Sequence, residues 1–136
     1  MKDAATRKAL ILGWVLLAFS VTFGLTLETL HAFKVAPYLS SGLRRELWTL
    51  AHAHGNLLAI LCLVFAAVGE RTIADERERS RVSLGLRLGA VLLPLGLLLG
   101  GVLNYEGDPS LGILLVPVGG LCLLFAVFRA AMAARR

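Results

Sequence analysis

Glu28, His31, His52 and His54 are the residues of this chain whose types and spacing could do chemistry. All three histidines of the protein fall within 24 residues of one another. Glu28 and His31 are three apart, so a helix sets them on one face about a turn from each other. Gly24 lies on the same stripe, where a close backbone or a flat ligand could approach. His52 and His54 belong to the segment Leu50-Ala51-His52-Ala53-His54-Gly55-Asn56-Leu57-Leu58, which opens an apolar run. Being two apart, they point about 200° from each other on a regular helix and cannot both serve one ion without distortion. His52, Gly55, Asn56 and Ala59 form one small and polar stripe; Ala51, His54, Leu58 and Cys62 form another. Imidazole is a common metal ligand near neutral pH, and ionisable groups inside a membrane span are costly enough to imply a task. The plain alternative is that the same groups hydrogen-bond between helices and only pack them.

The elements that must position these residues are four apolar runs, at about 9–32, 47–69, 84–103 and 111–133. Each approaches or exceeds the 20 or so residues that a helix needs to cross a bilayer. With 57% hydrophobic residues and a mean hydropathy of +0.77, the sequence is not that of an ordinary soluble domain. The expected fold is all-α, an integral membrane four-helix antiparallel bundle forming a single transmembrane domain over 1–136. Lys2, Arg7 and Lys8 before the first run imitate a signal peptide. The run is longer than a signal core of about 7–15 residues and lacks a clear cleavage site, so it reads as a retained helix.

The net charge of +5 follows from topology. Three of the 14 basic residues precede the first helix, and three (Lys34, Arg44, Arg45) lie in the first loop. Five (Arg71, Arg77, Arg79, Arg81, Arg87) lie in or beside the second loop, and three at the C-terminal end. Basic residues stay on the cytoplasmic side, so both termini are expected there. Glu70, Asp75, Glu76 and Glu78 intersperse the second-loop arginines, which predicts a mixed-charge solvated turn, with an anionic-lipid contact as the alternative, and no nucleic-acid surface. On this orientation Glu28, His31, His52, His54, Tyr105, Glu106 and Asp108 all approach the outer face.

Tyr38 and Trp48 are expected as interfacial anchors. Gly85/Gly89, Gly96/Gly100, Gly119 and Gly120 are expected to let helix backbones approach, and Pro94 and Pro117 to permit kinks. Cys62 and Cys122 lack CxxC spacing and read as small buried hydrophobes.

Thr49-Leu50-Ala51-His52-Ala53-His54-Gly55-Asn56-Leu57-Leu58 resembles the second transmembrane helix of the catalytic subunit of heme-copper oxidases and nitric-oxide reductases. It also resembles short four-helix relatives of that subunit carrying Ala-His-Ala-His-x-Asn-Leu-Leu-Gly. The resemblance spans about ten residues and implies a low-spin heme ligand at His54, near the outer face. The family's copper ligands and second-heme ligands come from later helices that this chain lacks, and its third and fourth runs contain no histidine. The resemblance is therefore compatible with a single heme b, with His31, His52 or a symmetry mate as second ligand, and does not extend to oxygen or nitric-oxide reduction by this chain alone. Heme propionates would meet Arg44 and Arg45, in the bidentate geometry arginine favours.

The leading expectation is a heme-b-binding membrane protein used in electron transfer or redox and gas sensing, in a bacterial inner membrane. A redox partner is expected at the outer face, and a homo-oligomer, most simply a dimer, to give the cofactor room. The alternatives are a copper or zinc site built from Glu28, His31 and His52 or His54, and a non-catalytic packing, assembly or carrier protein. No nucleophile–base pair, phosphate loop or HExxH motif supports hydrolytic chemistry.

Overall fold

A computed structural model describes residues 3–102, 104, 107–133 and 135. Tyr105 and Glu106, expected on the outer face, lie outside the described residues. The chain is helical: α1 (Ala4–Ala32), the short α2 (Ala36–Leu39), α3 (Gly42–Thr72), α4 (Glu76–Val102), a 3-10 turn (Leu111–Leu114) and α5 (Leu115–Ala133). Among the described residues four segments are long and apolar enough to cross a membrane, the 3-10 turn and α5 counting as one. They coincide with the four apolar runs of the sequence.

The helices outrun the apolar windows because polar caps, rather than the end of hydrophobicity, stop them. Asp3 caps α1 by accepting the Thr6 N–H at 3.1 Å. Ser41 caps α3 in the same way, with Arg44 N at 3.2 Å. Residues 42–46, expected to lead into the second long helix, are thus its first turn. The second loop shrinks likewise to Ile73–Asp75, because α4 starts at Glu76. At the end of α1 the Lys34 N–H donates to His31 O (3.1 Å) and the Val35 N–H to Leu30 O (3.0 Å), closing a Schellman turn. Lys34 takes φ 51° there, a position that usually belongs to glycine.

Packing follows chain order. α1 lies on α3, α3 on α4, and α4 on α5, with a lesser contact between α1 and α4; among the described residues no substantial contact joins α5 to α1 or α3. The α4–α5 seam is closed by the glycines, as their spacing predicts. A Cβ on Gly119 would sit 2.6 Å from Leu93 N, and one on Gly89 would sit 2.9 Å from Gly119 O. Pro94 lies inside α4, whereas Pro117 occupies the first turn of α5, where a missing N–H costs no intrahelical bond. Cys62 is fully buried and Cys122 half-buried, both as free thiols.

One end of this assembly is stitched by charge. Arg79 of α4 pairs with Asp3 at 2.9 Å, their side chains only 11% and 7% exposed, and also donates to Ile73 O at 2.6 Å. Thr6 of α1 donates to Glu70 of α3 at 3.0 Å, and Ser83 of α4 to Ala5 O at 2.8 Å. Glu78 of α4 binds Arg129 of α5 and Arg81. The expected mixed-charge turn is exposed at Arg71, 74–77 and Arg81, and through Glu70, Glu78 and Arg79 it also fastens all four long helices. Arg79 is ordered by Asp3 and the Ile73 carbonyl, whereas Arg71 and Arg77 face solvent.

Candidate functional site: a histidine groove between α1 and α3

The opposite end gathers the C-terminal part of α1, α2, the start of α3 and the end of α4. Its frame is Arg44 on the first turn of α3. The guanidinium donates to Pro37 O (2.6 Å), Gly101 O (2.9 Å) and Val102 O (3.3 Å). Ser110 adds its Oγ to Leu99 O (2.7 Å) and its N–H to Gly100 O (3.1 Å). The last four carbonyls of α4, which have no intrahelical donors, thus all find partners. Trp48 Nε1 donates to Leu98 O at 3.1 Å, and the Trp48 ring carries Arg44 5.8 Å from its centroid. Tyr38 stacks on Trp48 with centroids 6.0 Å apart and is buried. The expected anchor therefore turns inward and holds α2 against α3.

Beside this frame, Glu28, His31 and His52 line one groove of about 450 Å³ with Gly24, Tyr38 and Thr49. A second hollow of about 400 Å³ shares His31, Tyr38 and Thr49 with it and adds Gly42, Arg45, Glu46 and Leu50. The two lie end to end along the mouth of the α1–α3 seam. Arg45 lines the outer hollow, and its Nε is buried without a hydrogen-bond partner among the described residues. Arg44 lines neither hollow, since the α4 terminus occupies it. The expected arginine pair is in this way divided between framework and groove.

His52 is held by reciprocal bonds across the seam. Ser20 Oγ donates to His52 O, and His52 Nδ1 donates to Ser20 O, each at 2.9 Å. Because a carbonyl can only accept, Nδ1 carries the proton and Nε2 keeps the lone pair. The Asn56 amide nitrogen lies 3.2 Å from that Nε2, while the buried Asn56 Oδ1 has no partner among the described residues. Gly24 makes the ring's position possible: a Cβ there would fall 2.2 Å from His52 Cε1. The close approach expected at Gly24 is thus made by the imidazole itself.

His54 is set apart. It lines neither hollow, being two residues further round α3. Its Nδ1 donates to Leu50 O, one turn back, at 2.8 Å, so its Nε2 also keeps the lone pair. Glu28 and His31 are exposed at the groove, and no ion pair involves Glu28 among the described residues. No three of the His, Cys, Asp and Glu side chains come close enough to hold a metal ion among the described residues. The proposed Glu28–His31–His52/His54 ligand set is therefore not assembled here.

Ser20 is the site residue that sequence reasoning missed. Its signal was the spacing Ser20, Gly24, Glu28, a hydroxyl, a gap and a carboxylate at successive four-residue steps of one helix face.

No family model, curated protein or solved structure matches this chain, and none of those comparisons links it to the heme-copper oxidases.

Proposed function

We propose that the chain is a small membrane protein that binds heme b in the groove between α1 and α3, with His52 as the principal ligand. The observation that carries this reading is the preparation of His52: Nδ1–H is donated to a fixed carbonyl, which leaves a neutral imidazole whose Nε2 lone pair lies beside an open cavity and accepts only the neutral Asn56 amide N–H (3.2 Å), a bond that an iron ligand would replace. Such a bond to the second nitrogen is what orients and tunes a metal-binding histidine. The groove, at about 450 Å³, lies within the range of about 300–1,000 Å³ usual for small-molecule sites. A porphyrin supplies its own equatorial donors and asks for only one or two side chains, whereas a structural zinc asks for about four. The lack of a three-donor cluster among the described residues therefore weighs against the copper or zinc alternative while leaving the heme reading intact.

In this reading Gly24 and Ser20 position the His52 ring, and His31 faces the same cavity as the candidate second ligand. Arg45, whose Nε has no hydrogen-bond partner among the described residues, is the group this reading assigns to a heme carboxylate at the second hollow. A bound heme would supply a one-electron couple near one membrane face, suited to electron transfer or redox sensing. Insertion in a bacterial inner membrane with both termini cytoplasmic, and a dimer covering the groove, belong to the same proposal. The positive-inside division of charge supports the orientation.

The test is the optical spectrum of the purified protein reconstituted with hemin. His52→Ala should abolish the reduced α and β bands, and His54→Ala should leave them. If His54→Ala removes the bands and His52→Ala does not, the ligand is the residue to which the oxidase resemblance points, and the site lies on the other flank of α3. If wild type binds no heme, the packing reading takes over. The Ser20–His52 pair favours that second reading, because it joins α1 to α3 whether or not a cofactor is held.

A further inference from the structure

A buried tyrosine ordinarily gives its hydroxyl a hydrogen-bond partner. Tyr38 is 6% exposed, yet its hydroxyl makes no hydrogen bond among the described residues. The side-chain polar atoms both enclosed and unpartnered there are Arg45 Nε and Asn56 Oδ1. The Tyr38 hydroxyl is therefore not enclosed, and the surface it keeps is groove surface, because Tyr38 lines both the groove and the outer hollow. Its position is fixed from the backbone up. Pro37 stands in the first turn of α2, the Tyr38 N–H donates to Val35 O at 3.0 Å, and Arg44 holds Pro37 O at 2.6 Å. The ring stacks on Trp48, which is itself tied to Leu98 O. Trp48 precedes His52 by four residues, on nearly the same face of α3 and about 6 Å nearer the helix start. Tyr38 thus stands at the junction of the two hollows, about one turn beyond the imidazole. Arg45 lines the outer hollow beside it; Glu46, on the same hollow, is exposed and joins no ion pair among the described residues.

We infer that the Tyr38 hydroxyl donates to a carboxylate of the groove's ligand, and that Tyr38 is thereby the residue that selects an acidic porphyrin over its ester. The inference rests on the heme reading for the class of ligand, and it is separate from ligation of the iron. A carboxylate leaving water needs more than one donor. Arg45 supplies the charge, and Tyr38 supplies an O–H that adds no second charge to bury. A hydroxyl donating to a carboxylate makes a short, charge-assisted bond. Stacking on Trp48 holds the ring without consuming the hydroxyl, so the donor is in place before the ligand arrives. An ester keeps the porphyrin's size and loses the charge that makes this bond strong.

The test uses iron-free protoporphyrin IX and its dimethyl ester, titrated into the full-length protein in mild detergent and followed by quenching of tryptophan fluorescence. Wild type should bind the acid more tightly than the ester. Tyr38→Phe, which keeps the stack and removes only the hydroxyl, should weaken the acid about tenfold, the low end for a hydrogen bond to a charged group, and leave the ester unchanged. Equal binding of acid and ester by wild type would overturn the assignment, as would failure to bind either. An equal loss of both in Tyr38→Phe would also overturn it, since the hydroxyl would then serve only the fold. The iron-free pair keeps this result apart from the heme reading. Hemin bound without reduced α and β bands would remove His52 ligation and leave the carboxylate preference standing; bands without that preference would do the reverse.

Discussion

The two ends of the molecule solve the same problem with different chemistry. At the charged end, Asp3–Arg79 and Glu78–Arg129 join helices through opposed full charges, and Thr6–Glu70 adds a hydroxyl to a carboxylate. At the histidine end the joints are donor to carbonyl: Arg44 to three backbone oxygens, Trp48 to Leu98, and Ser20 with His52 in exchange. Paired charges satisfy each other and leave little to offer a ligand. The carbonyl joint uses one nitrogen of the His52 imidazole, and the other accepts only a neutral amide N–H from Asn56 at 3.2 Å. The histidine end, without ion pairs among the described residues, therefore keeps polar groups that its packing does not consume, and this is what supports the proposed binding there. Arg45 Nε and Asn56 Oδ1, both buried and unpartnered among the described residues, lie at that end.

The comparison can be broken most severely at Arg79. Arg79→Ala strands the Asp3 carboxylate, whose side chain is 7% exposed, and should cost about 3 kcal/mol, the low end for breaking a buried pair. Thermal unfolding in detergent measures this, and an unchanged midpoint would mean that the charged end does not fasten the helices. The same pair predicts acid sensitivity. Burial pushes the Asp3 carboxyl up, but the Arg79 hydrogen bond and charge and the N–H groups of Thr6 and Ala5 outweigh it and hold it below its ordinary 3.8. A depressed carboxyl stabilises the fold above the unfolded value and loses that contribution as pH falls through the folded one. Wild type should therefore lose stability below about pH 4, and Asp3→Asn should flatten that part of the profile.

At the histidine end, Gly24→Val forces a side chain onto the His52 ring. Overpacking of this kind costs about 1–3 kcal/mol, and hemin binding should fall with it. Gly120→Ala is the matched control, since nothing lies within 4 Å of that position. If the two variants behave alike, the ring does not rest on Gly24.

The division of the arginines sharpens the contrast further. Arg44→Ala removes charged hydrogen bonds from the α4 terminus and should lower stability by about 2 kcal/mol. Arg45→Ala should leave the unfolding midpoint in place and weaken hemin binding. A reversal of these two outcomes would exchange framework and groove.

The smallest effect is a gain. Lys34 holds a left-handed conformation at φ 51°, and Lys34→Gly should relieve about 1 kcal/mol of backbone strain. Since the turn at Lys34 fixes the end of α1 beside His31, a variant less stable than wild type would show that its lysine side chain does more than close the helix.

The sequence by itself determined four membrane-length helices and their short connections, because a run of apolar residues is a local property and needs no knowledge of neighbours. The glycines facing α5 were legible for the same reason, their four-residue spacing defining one helix face. It also determined that the two histidines of α3 diverge, since the helical period alone fixes the angle between positions 52 and 54. Which of them meets Glu28 and His31 depends on where α1 lies against α3, and only tertiary packing decided that in favour of His52. The same packing gave three members of the exposed mixed-charge turn, Glu70, Glu78 and Arg79, a role in joining the four long helices, because Thr6, Arg129 and Asp3, far away in sequence, arrive as their partners. Arg44 and Arg45 show the limit most sharply. They are identical and adjacent, yet on a helix they point about 100° apart. One finds the open carbonyls of α4 and the other the groove, a division that no reading of two consecutive arginines could have made.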